Sequence, residues 1–314
     1  MTGRHLGAPV IGLDLGGTKI AAALVGPGGT VLARHTLPTP AAQGAEAVLD
    51  ALAVAARAVR ADGATAIGVA AAGVIDPVTG TVTSATDTIR GWAGTALAAG
   101  LAARTSLPVA CDNDVRAAAT TELDDPDDTT LLYAAVGTGV GGAVAAAGRM
   151  LHGAAGIAGH LGHLPSPEAD GLPCTCGATG HLEAIAAGPA ITAHCARLGG
   201  PPADRLQTVA ARAAEGDPHA TAAITLGARA TGRALGGLAN ALGPHRVVVA
   251  GGVPRIGPLY WDALCAAFTA ELMPPLRDLR PCPPRGGADA AVLGAAALPR
   301  TLPLHHPHTT GAPS

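Results

Sequence analysis

Short apolar runs separated by glycines set the pattern at the start of the chain. One run, VIGLDL, covers Val10 to Leu15, and a second, KIAAALV, covers Lys19 to Val25. Because Gly16, Gly17 and Thr18 lie between them, the pattern predicts a β-hairpin with a glycine tip. Such a tip lets backbone N–H groups and a hydroxyl approach a phosphate closely, since no Cβ stands in the way. A tight hairpin without a ligand is the alternative interpretation.

The same pattern recurs in the middle of the chain. A strand is predicted from Leu131 to Val136, a loop over Gly137-Thr138-Gly139-Val140-Gly141-Gly142, and a further strand from Ala143 to Ala147. Two such units predict a duplicated architecture in which each half offers a phosphate clamp. The second loop also matches G-x-G-x-x-G, but the dinucleotide-binding fingerprint requires a helix after the loop and an acidic residue about 20 positions on. A short strand follows instead, so we set that interpretation aside.

Helical periodicity and buried apolar runs account for most of the remaining chain. Helices are predicted over residues 42–60, 115–122, 184–198, 204–214, 219–242, 260–271 and 288–298. Buried strands are predicted at 66–71, 108–111 and 246–250, and the proline-rich residues 281–284 are interpreted as a linker. The glycine pair Gly251 and Gly252 follows the last of these strands and suits close packing of a planar ring or of backbone.

Three polar residues, Asp112, Asn113 and Asp114, follow a predicted strand and precede a predicted helix. Carboxylates and an amide at that place can hold a hydroxylated substrate and accept its proton. Capping of the helix is the simpler alternative, because Asp and Asn are favoured at helix N-termini. One residue is enough for a cap, so three in a row indicate a further role.

Four residues with metal-binding side chains lie within one short glycine- and proline-rich segment: His163, Cys174, Cys176 and His181. Thiolate and imidazole suit zinc, and four protein ligands make a closed structural site, so the spacing predicts one tetrahedral zinc ion. The alternative is that the histidines are loop residues and the cysteines are small buried hydrophobes. His160 and Glu183 lie just outside this set, and we expect them to face a polar ligand.

Composition limits the classes of function. The chain has 314 residues, which suits two domains, and its 48% of hydrophobic residues allow a large core. A net charge of −3 gives no electrostatic reason to expect nucleic acid as a partner. Without an apolar run of about 18 residues or a secretory leader, we expect a cytoplasmic protein with no membrane partner. We expect the six cysteines to stay reduced and the tail from Leu302 to be disordered.

Five motifs occur in the order typical of one family. LDLGGTKIAAAL, DNDVRAAA, VGTGVGGA, GHLGHL with CTCGATGHLE, and VVVAGGV resemble, respectively, the first phosphate motif, the catalytic segment, the second phosphate motif, the metal signature and the adenosine motif of the ROK sugar kinases. The resemblance covers residues 10 to 298 and implies an α/β fold of two actin-like (ribonuclease H-like) domains of the hexokinase, Hsp70 and actin superfamily, with a cleft between them. The implied domains are 1–115 plus 288–301, and 116–287 with the zinc loop, followed by a tail at 302–314.

The resemblance implies ATP-dependent phosphorylation of a sugar. Within the family it is closest to kinases that act on the 6-hydroxyl of N-acetyl-D-mannosamine, because His160 stands where glucokinases usually have Glu. Kinases for glucose or N-acetylglucosamine stay open as alternatives, since they would use the same catalytic residues. A sugar-sensing repressor is disfavoured because only nine residues precede Val10, which leaves no room for a winged helix. A catalytically silent sugar-binding module is disfavoured because Asp114 and both glycine loops are intact.

The resemblance also implies a role for each matched residue. Asp114 is the general base, and the sugar contacts are Gly73, Asn113, Asp114, His160, His163 and Glu183. The contacts to ATP and Mg2+ are Asp14, Gly16, Gly17, Thr18, Lys19, Gly137, Thr138, Gly139, Gly141, Gly251 and Gly252. The ligands of a structural Zn2+ are His163, Cys174, Cys176 and His181, with His181 in place of the family's usual third cysteine. The implied partners are a small sugar and ATP, and the implied assembly is a homodimer.

Overall fold

The computed structural model describes residues 7–123 and 129–307, which form an α/β structure with two five-stranded sheets. The strands are β1 (Val10–Leu15), β2 (Lys19–Val25), β3 (Val31–Pro38), β4 (Ile67–Ala71), β5 (Val74–Asp76), β6 (Thr81–Ser84), β7 (Val109–Asn113), β8 (Leu131–Val136), β9 (Val140–Ala146), β10 (Arg149–Met150), β11 (Arg246–Ala250) and β12 (Pro281–Cys282). The helices are α1 (Ala45–Val59), α2 (Leu97–Thr105), α3 (Asp114–Thr120), α4 (Glu183–Ala186), α5 (Gly188–Arg197), α6 (Leu206–Ala214), α7 (Pro218–Leu242), α8 (Pro258–Glu271) and α9 (Ala290–Thr301).

The first of two compact units comprises the chain up to Glu122, the short segment His152–Ile157 and the residues from Arg285 onwards. Its sheet has the strand order β3-β2-β1-β4-β7. β1 and β2 form an antiparallel hairpin, so the predicted hairpin with a glycine tip is confirmed. β1, β4 and β7 run parallel, and their register places Asp14 and Asn113 at the same carboxyl edge of the sheet. That edge is where ligands bind in open α/β sheets.

The second unit comprises Leu123–Leu151 and Ala158–Pro284. Its sheet, in the order β10-β9-β8-β11-β12, again has a central hairpin followed by parallel strands, which confirms the predicted duplication. The tip of this hairpin is shorter than predicted, because β9 begins at Val140 and includes Gly141 and Gly142. Gly142 is required there by packing, since an added Cβ would lie 2.3 Å from Cγ of Leu161.

Small and aliphatic side chains fill the cores of both units, as expected from a chain with 2% aromatic residues. Leu13, Leu52 and Ile67 are fully buried in the first unit, and Ile224 and Leu264 are buried in the second. The long helix α7 is paired with α8 in the second unit. Among the described residues, no helix combines the length and hydropathy needed to cross a membrane.

Helix α9 covers the sheet of the first unit at a distance that only glycine permits. A Cβ at Gly68 of β4 would lie 1.7 Å from the carbonyl oxygen of Ala295 in α9. A Cβ at Gly294 of α9 would likewise lie 1.8 Å from the carbonyl oxygen of Ala117 in α3. Because α3 packs on α9, it belongs to the first unit, whereas the family resemblance implied a C-terminal domain that begins at residue 116.

Three further segments differ from their predicted form. Residues 281–284 begin with the edge strand β12, which pairs with β11 and tolerates the missing N–H of a proline. The helix predicted over 184–198 is broken at Ala187, whose extended ψ of 151° separates α4 from α5. In the tail, His305 and Val109 exchange backbone hydrogen bonds of 2.8 and 2.9 Å, which orders the chain there; residues 308–314 lie outside the described residues.

Candidate functional site

The end of β7 and the start of α3 place Asn113 and Asp114. The Asn113 side-chain oxygen accepts hydrogen bonds from the backbone N–H groups of Val115 (3.0 Å) and Arg116 (3.2 Å), so Asn113 caps the helix. Its amide nitrogen donates to the carbonyl oxygen of Gly73 (3.0 Å) and to Oδ1 of Asp114 (2.9 Å). One side chain therefore caps α3 and holds the Asp114 carboxyl group in a fixed orientation.

The carboxyl groups of Asp14 and Asp114 are both poorly solvated. Burial raises the pKa of Asp114 above its ordinary value, although hydrogen bonds from Val115 N and from the Asn113 amide lower it. The pKa of Asp14 rises to about 6, because burial and the charge of Asp114 outweigh the opposite effect of Lys19. This edge of the first unit thus holds two carboxylates with increased basicity, a property typical of proton-transfer and cation-binding sites.

The first glycine loop presents Thr18 and Lys19 at the surface. The backbone N–H of Gly16 donates to the carbonyl oxygen of Lys19 at 3.0 Å, which closes the tip. A Cβ at Gly17 would lie 2.6 Å from Cγ2 of Thr88, so a larger residue would force the Thr88 side chain to move. The loop therefore offers a hydroxyl and an ammonium group to an anion from a narrow backbone turn.

The second glycine loop, in the second unit, has the same small size. The N–H of Gly137 donates to the carbonyl oxygen of Gly139 (2.8 Å), and the carbonyl oxygen of Gly137 accepts from the N–H of Gly188 at the start of α5 (2.8 Å). Thr138 is exposed at the tip, while Gly141 lies in β9. The structure thus places the predicted residues of this loop at the end of β8, beside the start of a helix.

The glycine pair after β11 packs against the end of β8. Gly251 has a φ of 102°, and a Cβ there would lie 2.1 Å from the carbonyl oxygen of Val136. Gly252, in contrast, has no atom within 4 Å of an added Cβ. Backbone is therefore packed on one side of the pair and space is open on the other, which suits the predicted contact with a planar ring.

The four predicted metal ligands meet in one cluster in the second unit. One ligand atom from each of His163, Cys174, Cys176 and His181 lies within 4.8 Å of the other three. Sγ of Cys174 is 3.5 Å from Nδ1 of His163, and Sγ of Cys176 is 3.3 Å from Nδ1 of His181. Zinc bonds of about 2.0–2.3 Å would separate tetrahedral ligand atoms by about 3.3–3.8 Å. These two pairs have that spacing, and the remaining pairs, within 4.8 Å, need to close only slightly to hold one zinc ion. Because Cys176 is exposed, the alternative of two buried hydrophobic cysteines does not describe it.

Glu183 joins the second glycine loop to residues 163–181, which carry the four predicted metal ligands and are called the metal-ligand segment below. Its Oε1 accepts a hydrogen bond from the hydroxyl of Thr175, between the two cysteines, at 2.5 Å. Its Oε2 accepts from the backbone N–H of Val140, directly after the glycine tip, at 2.8 Å. His160 lies close by, its ring stacked on that of His163 with 6.4 Å between centroids. The predicted sugar contacts of this unit are therefore grouped around the four predicted metal ligands.

The buried carboxylate of Asp112 is bound by Arg116 and His152, two residues that the sequence motifs did not point to. Arg116 Nε donates to Oδ1 of Asp112 at 2.7 Å, and His152 Nε2 lies 2.8 Å from Oδ2. The spacing of four residues between Asp112 and Arg116 is a signal in the sequence, because an arginine in an alanine-rich helix that follows an aspartate can pair with it. His152 carries no such signal, since it reaches Asp112 from a distant part of the chain.

Comparison with known proteins gives consistent results. The model of the ROK family matches residues 10–301. The N-acetylmannosamine kinase of Escherichia coli (strain 55989 / EAEC) is 38% identical over 299 residues, covering 92% of this chain and 97% of that protein. The N-acetylmannosamine kinase of Shigella flexneri is 37% identical over 300 residues, with the same coverage.

Solved structures extend the similarity to the fold. The ROK hexokinase from Thermus thermophilus is 36% identical, with a TM-score of 0.79 over 92% of this chain and 96% of that one. A ROK family glucokinase from Streptomyces griseus, solved with glucose and AMPPNP, is 29% identical, with a TM-score of 0.76 over 92% of this chain and 98% of that one.

Proposed function

The chain belongs to the ROK family, and on that premise we propose that it uses ATP to phosphorylate the 6-hydroxyl of N-acetyl-D-mannosamine. It is a sugar kinase with the actin-like α/β fold, repeated in two units. Similarity to the N-acetylmannosamine kinases supports the proposed substrate. The observation that carries the chemistry is Asp114, a poorly solvated carboxylate held at a helix start by Asn113.

Asp114 is proposed as the general base. As the sugar oxygen attacks the γ-phosphorus of ATP, its proton moves to the Asp114 carboxylate, the bond between the γ-phosphorus and the bridging oxygen breaks, and ADP leaves. Burial raises the pKa of Asp114, which makes its anion a stronger base. The hydrogen bond from Asn113 fixes the carboxylate, and phosphoryl transfer depends mainly on such positioning.

The glycine loops and Asp14 are proposed to bind the nucleotide and its metal. In the first unit, Thr18 and Lys19 would contact phosphate oxygens, and Asp14 would hold Mg2+, which supplies charge neutralisation to the phosphates when bound. In the second unit, the loop of Gly137, Thr138 and Gly139 with Gly141 would contact phosphate. Gly251 and Gly252 would lie beside the adenosine, because Gly252 leaves space for a planar ring.

The proposed sugar contacts are Gly73, Asn113, Asp114, His160, His163 and Glu183. His163 directs Nδ1 towards Cys174, which leaves Nε2 for the sugar. The four ligands of the proposed zinc site leave no open coordination position, so the zinc would have a structural role. It would hold the loop that carries His163 and precedes Glu183.

A coupled assay of ADP release with ATP and Mg2+ tests this proposal across N-acetylmannosamine, N-acetylglucosamine, glucose, mannose and fructose. We expect the highest kcat/KM for N-acetylmannosamine. A preference for glucose or N-acetylglucosamine would keep the kinase but reject the proposed sugar. Glucose is the second candidate, because the solved relatives include a hexokinase and a glucokinase. No turnover with any of the five sugars would reject the proposed reaction.

A further inference from the structure

A buried ion-pair network lies directly beneath the proposed catalytic segment. Asp112 is 1% exposed, and a buried carboxylate is costly unless charged or polar groups surround it. Its Oδ1 accepts from Nε of Arg116 and from the backbone N–H of Asn113, both at 2.7 Å. Its Oδ2 accepts from Nε2 of His152 at 2.8 Å. Both oxygens of this carboxylate are therefore held.

Arg116 extends the network to two other parts of the first unit. Its side chain is fully buried, and Nη1 donates to the carbonyl oxygen of Gly156 at 2.9 Å. Nη2 donates to the carbonyl oxygen of Ile75 in β5 at 3.3 Å. One guanidinium thus connects β7, β5 and the segment His152–Ile157, and His152 connects that segment to Asp112 a second time. Only a planar donor with several N–H groups can make these contacts together.

We propose that Asp112, Arg116 and His152 form a positioning network that fixes Asn113 and Asp114 for phosphoryl transfer. This inference rests on the proposed function. Asp112 accepts a hydrogen bond from the Asn113 backbone, and the Asn113 side chain orients the Asp114 carboxyl group. A movement of Asp112 therefore changes the position of the catalytic base through one intermediate residue.

Net stability alone explains this network poorly. A buried ion pair usually adds little to stability compared with apolar side chains of the same volume, because desolvation offsets the attraction. Capping of α3 does not need the network either, since Asn113 already caps the helix. What Arg116 and His152 add is a defined position for the strand end that carries the base, and an error of about 1 Å at such a place can cost about 100-fold in rate.

His152→Ala is the most informative variant, because the His152 side chain is 22% exposed and its removal leaves a small gap at the surface. We expect kcat to fall about 10-fold or more while KM for sugar and for ATP stays within about twofold, since neither ligand is proposed to touch His152. His152→Gln, which can place a side-chain N–H near Asp112, should recover most of the loss. Arg116→Lys should itself lower kcat, because a lysine ammonium cannot make the several hydrogen bonds of the planar Arg116 guanidinium.

The control is His219→Ala. Nδ1 of His219 lies 3.6 Å from Oδ1 of Asp217, so this exposed histidine also neighbours an aspartate but lies in the second unit. We expect unchanged kcat. If His152→Ala keeps the wild-type kcat, or if its kcat falls only in proportion to the folded fraction measured by thermal unfolding, the positioning role is wrong.

Hydrogen exchange tests the network independently of activity. In the ligand-free protein, His152→Ala should speed amide exchange in a peptide covering residues 112–118 and leave α7 unchanged. Unchanged exchange in that peptide would overturn the inference. If the wild type phosphorylates none of the five sugars, the proposed function fails, and the exchange result still decides whether His152 positions the segment.

Discussion

Single residues at the carboxyl edge of the first sheet combine poor solvation with negative charge. Asp14 and Asp114 have raised pKa values mainly because burial disfavours their anions. A higher pKa makes a carboxylate a stronger base, but the carboxylate form then predominates only at a higher pH. At Asp114 the raised pKa bears on the rate of proton transfer, and at Asp14 it bears on the pH dependence of folding stability.

Replacement of Asp114 by Asn tests the base directly. The amide keeps the size of the carboxyl group and a hydrogen bond with Asn113 can persist, so we expect sugar binding to stay within about threefold of the wild type. Turnover should fall by about 100-fold or more, because general-base catalysis typically contributes that much. Calorimetric titration with the sugar and the ADP-release assay measure the two effects. Retained turnover would remove Asp114 from the role of base.

Asp14→Asn should stabilise the ligand-free protein near neutral pH while it abolishes tight binding of Mg-ATP. The folded pKa of Asp14, about 6, lies above the ordinary value of 3.8, so the folded state holds its proton more strongly than the unfolded state. Stability therefore falls as pH rises from about 4 to about 6. We expect the variant to gain on the order of 2 kcal/mol at pH 7.5 and almost nothing at pH 3.5, where the wild-type carboxyl is protonated in both states.

Thermal unfolding of both proteins at the two pH values measures this effect. Asp278→Asn is the control, because Asp278 is 92% exposed and its neutralisation should shift the melting temperature little at either pH. An Asp14→Asn variant that is less stable than the wild type at pH 7.5 would contradict the assignment.

The residues that could be predicted from the sequence are those whose role depends on local spacing. Cys174, Cys176 and His181 lie close together along the chain, so their common site was visible before the fold was known. The contact between His152 and Asp112 was not, because it joins positions 40 residues apart. Local periodicity also could not show that Glu183 accepts hydrogen bonds from two different loops.

At the scale of elements, the metal-ligand segment packs on the core of the second unit through Leu164, Ala169 and Leu172. Short backbone contacts also hold it, such as the bridge between Pro165 and His181 and the bridge between Pro173 and Thr179. Arg233 of α7 adds a charged contact with Glu168 at 2.9 Å. Residues 175–179 are exposed, so this turn depends on its metal for a defined shape, as small zinc-binding elements do.

Cys176→Ser should therefore loosen the segment without disturbing the core, because Cys176 is exposed. We expect about one zinc per chain in the wild type and clearly less in the variant, with a sugar KM raised about 10-fold since His163 and Glu183 lose their support. Elemental analysis and steady-state kinetics measure both quantities. Cys265→Ser, which lies outside the cluster, should change neither. Full zinc content in Cys176→Ser would exclude that thiol from the ligand set.

The contact between β4 and α9 makes a second prediction at this scale. Gly68→Ala would place a methyl group 1.7 Å from the carbonyl oxygen of Ala295, and neither the central strand nor the helix backbone can move away without loss of packing. We expect a loss of about 3 kcal/mol in the free energy of unfolding, measured by denaturant titration. Gly237→Ala is the matched control: it lies on an exposed position of α7 with no atom within 4 Å, so it should stabilise by about 0.5–1 kcal/mol. Equal effects of the two substitutions would contradict the close contact.

At the scale of the whole molecule, the duplicated plan followed from the sequence because each unit begins with the same strand, glycine tip and strand. The unit boundaries did not follow, because they depend on contacts between distant segments. α3 belongs with the first unit through α9, and the segment His152–Ile157 belongs there through Arg116 and Asp112. Hydrophobic periodicity describes one element at a time and cannot report such pairings.

The late position of α9 in the chain has a consequence for biosynthesis. When the ribosome has released residues up to 284, every segment of the second unit is available, whereas the first sheet still lacks the helix that covers Gly68. The apolar face formed by residues such as Val10 and Ala66 is open to solvent for that interval, because Val292 and Ala296 complete its cluster. The nascent chain therefore exposes this apolar face until α9 has been synthesised and packs on the sheet, and during that interval the first unit is the part of the chain most exposed to aggregation.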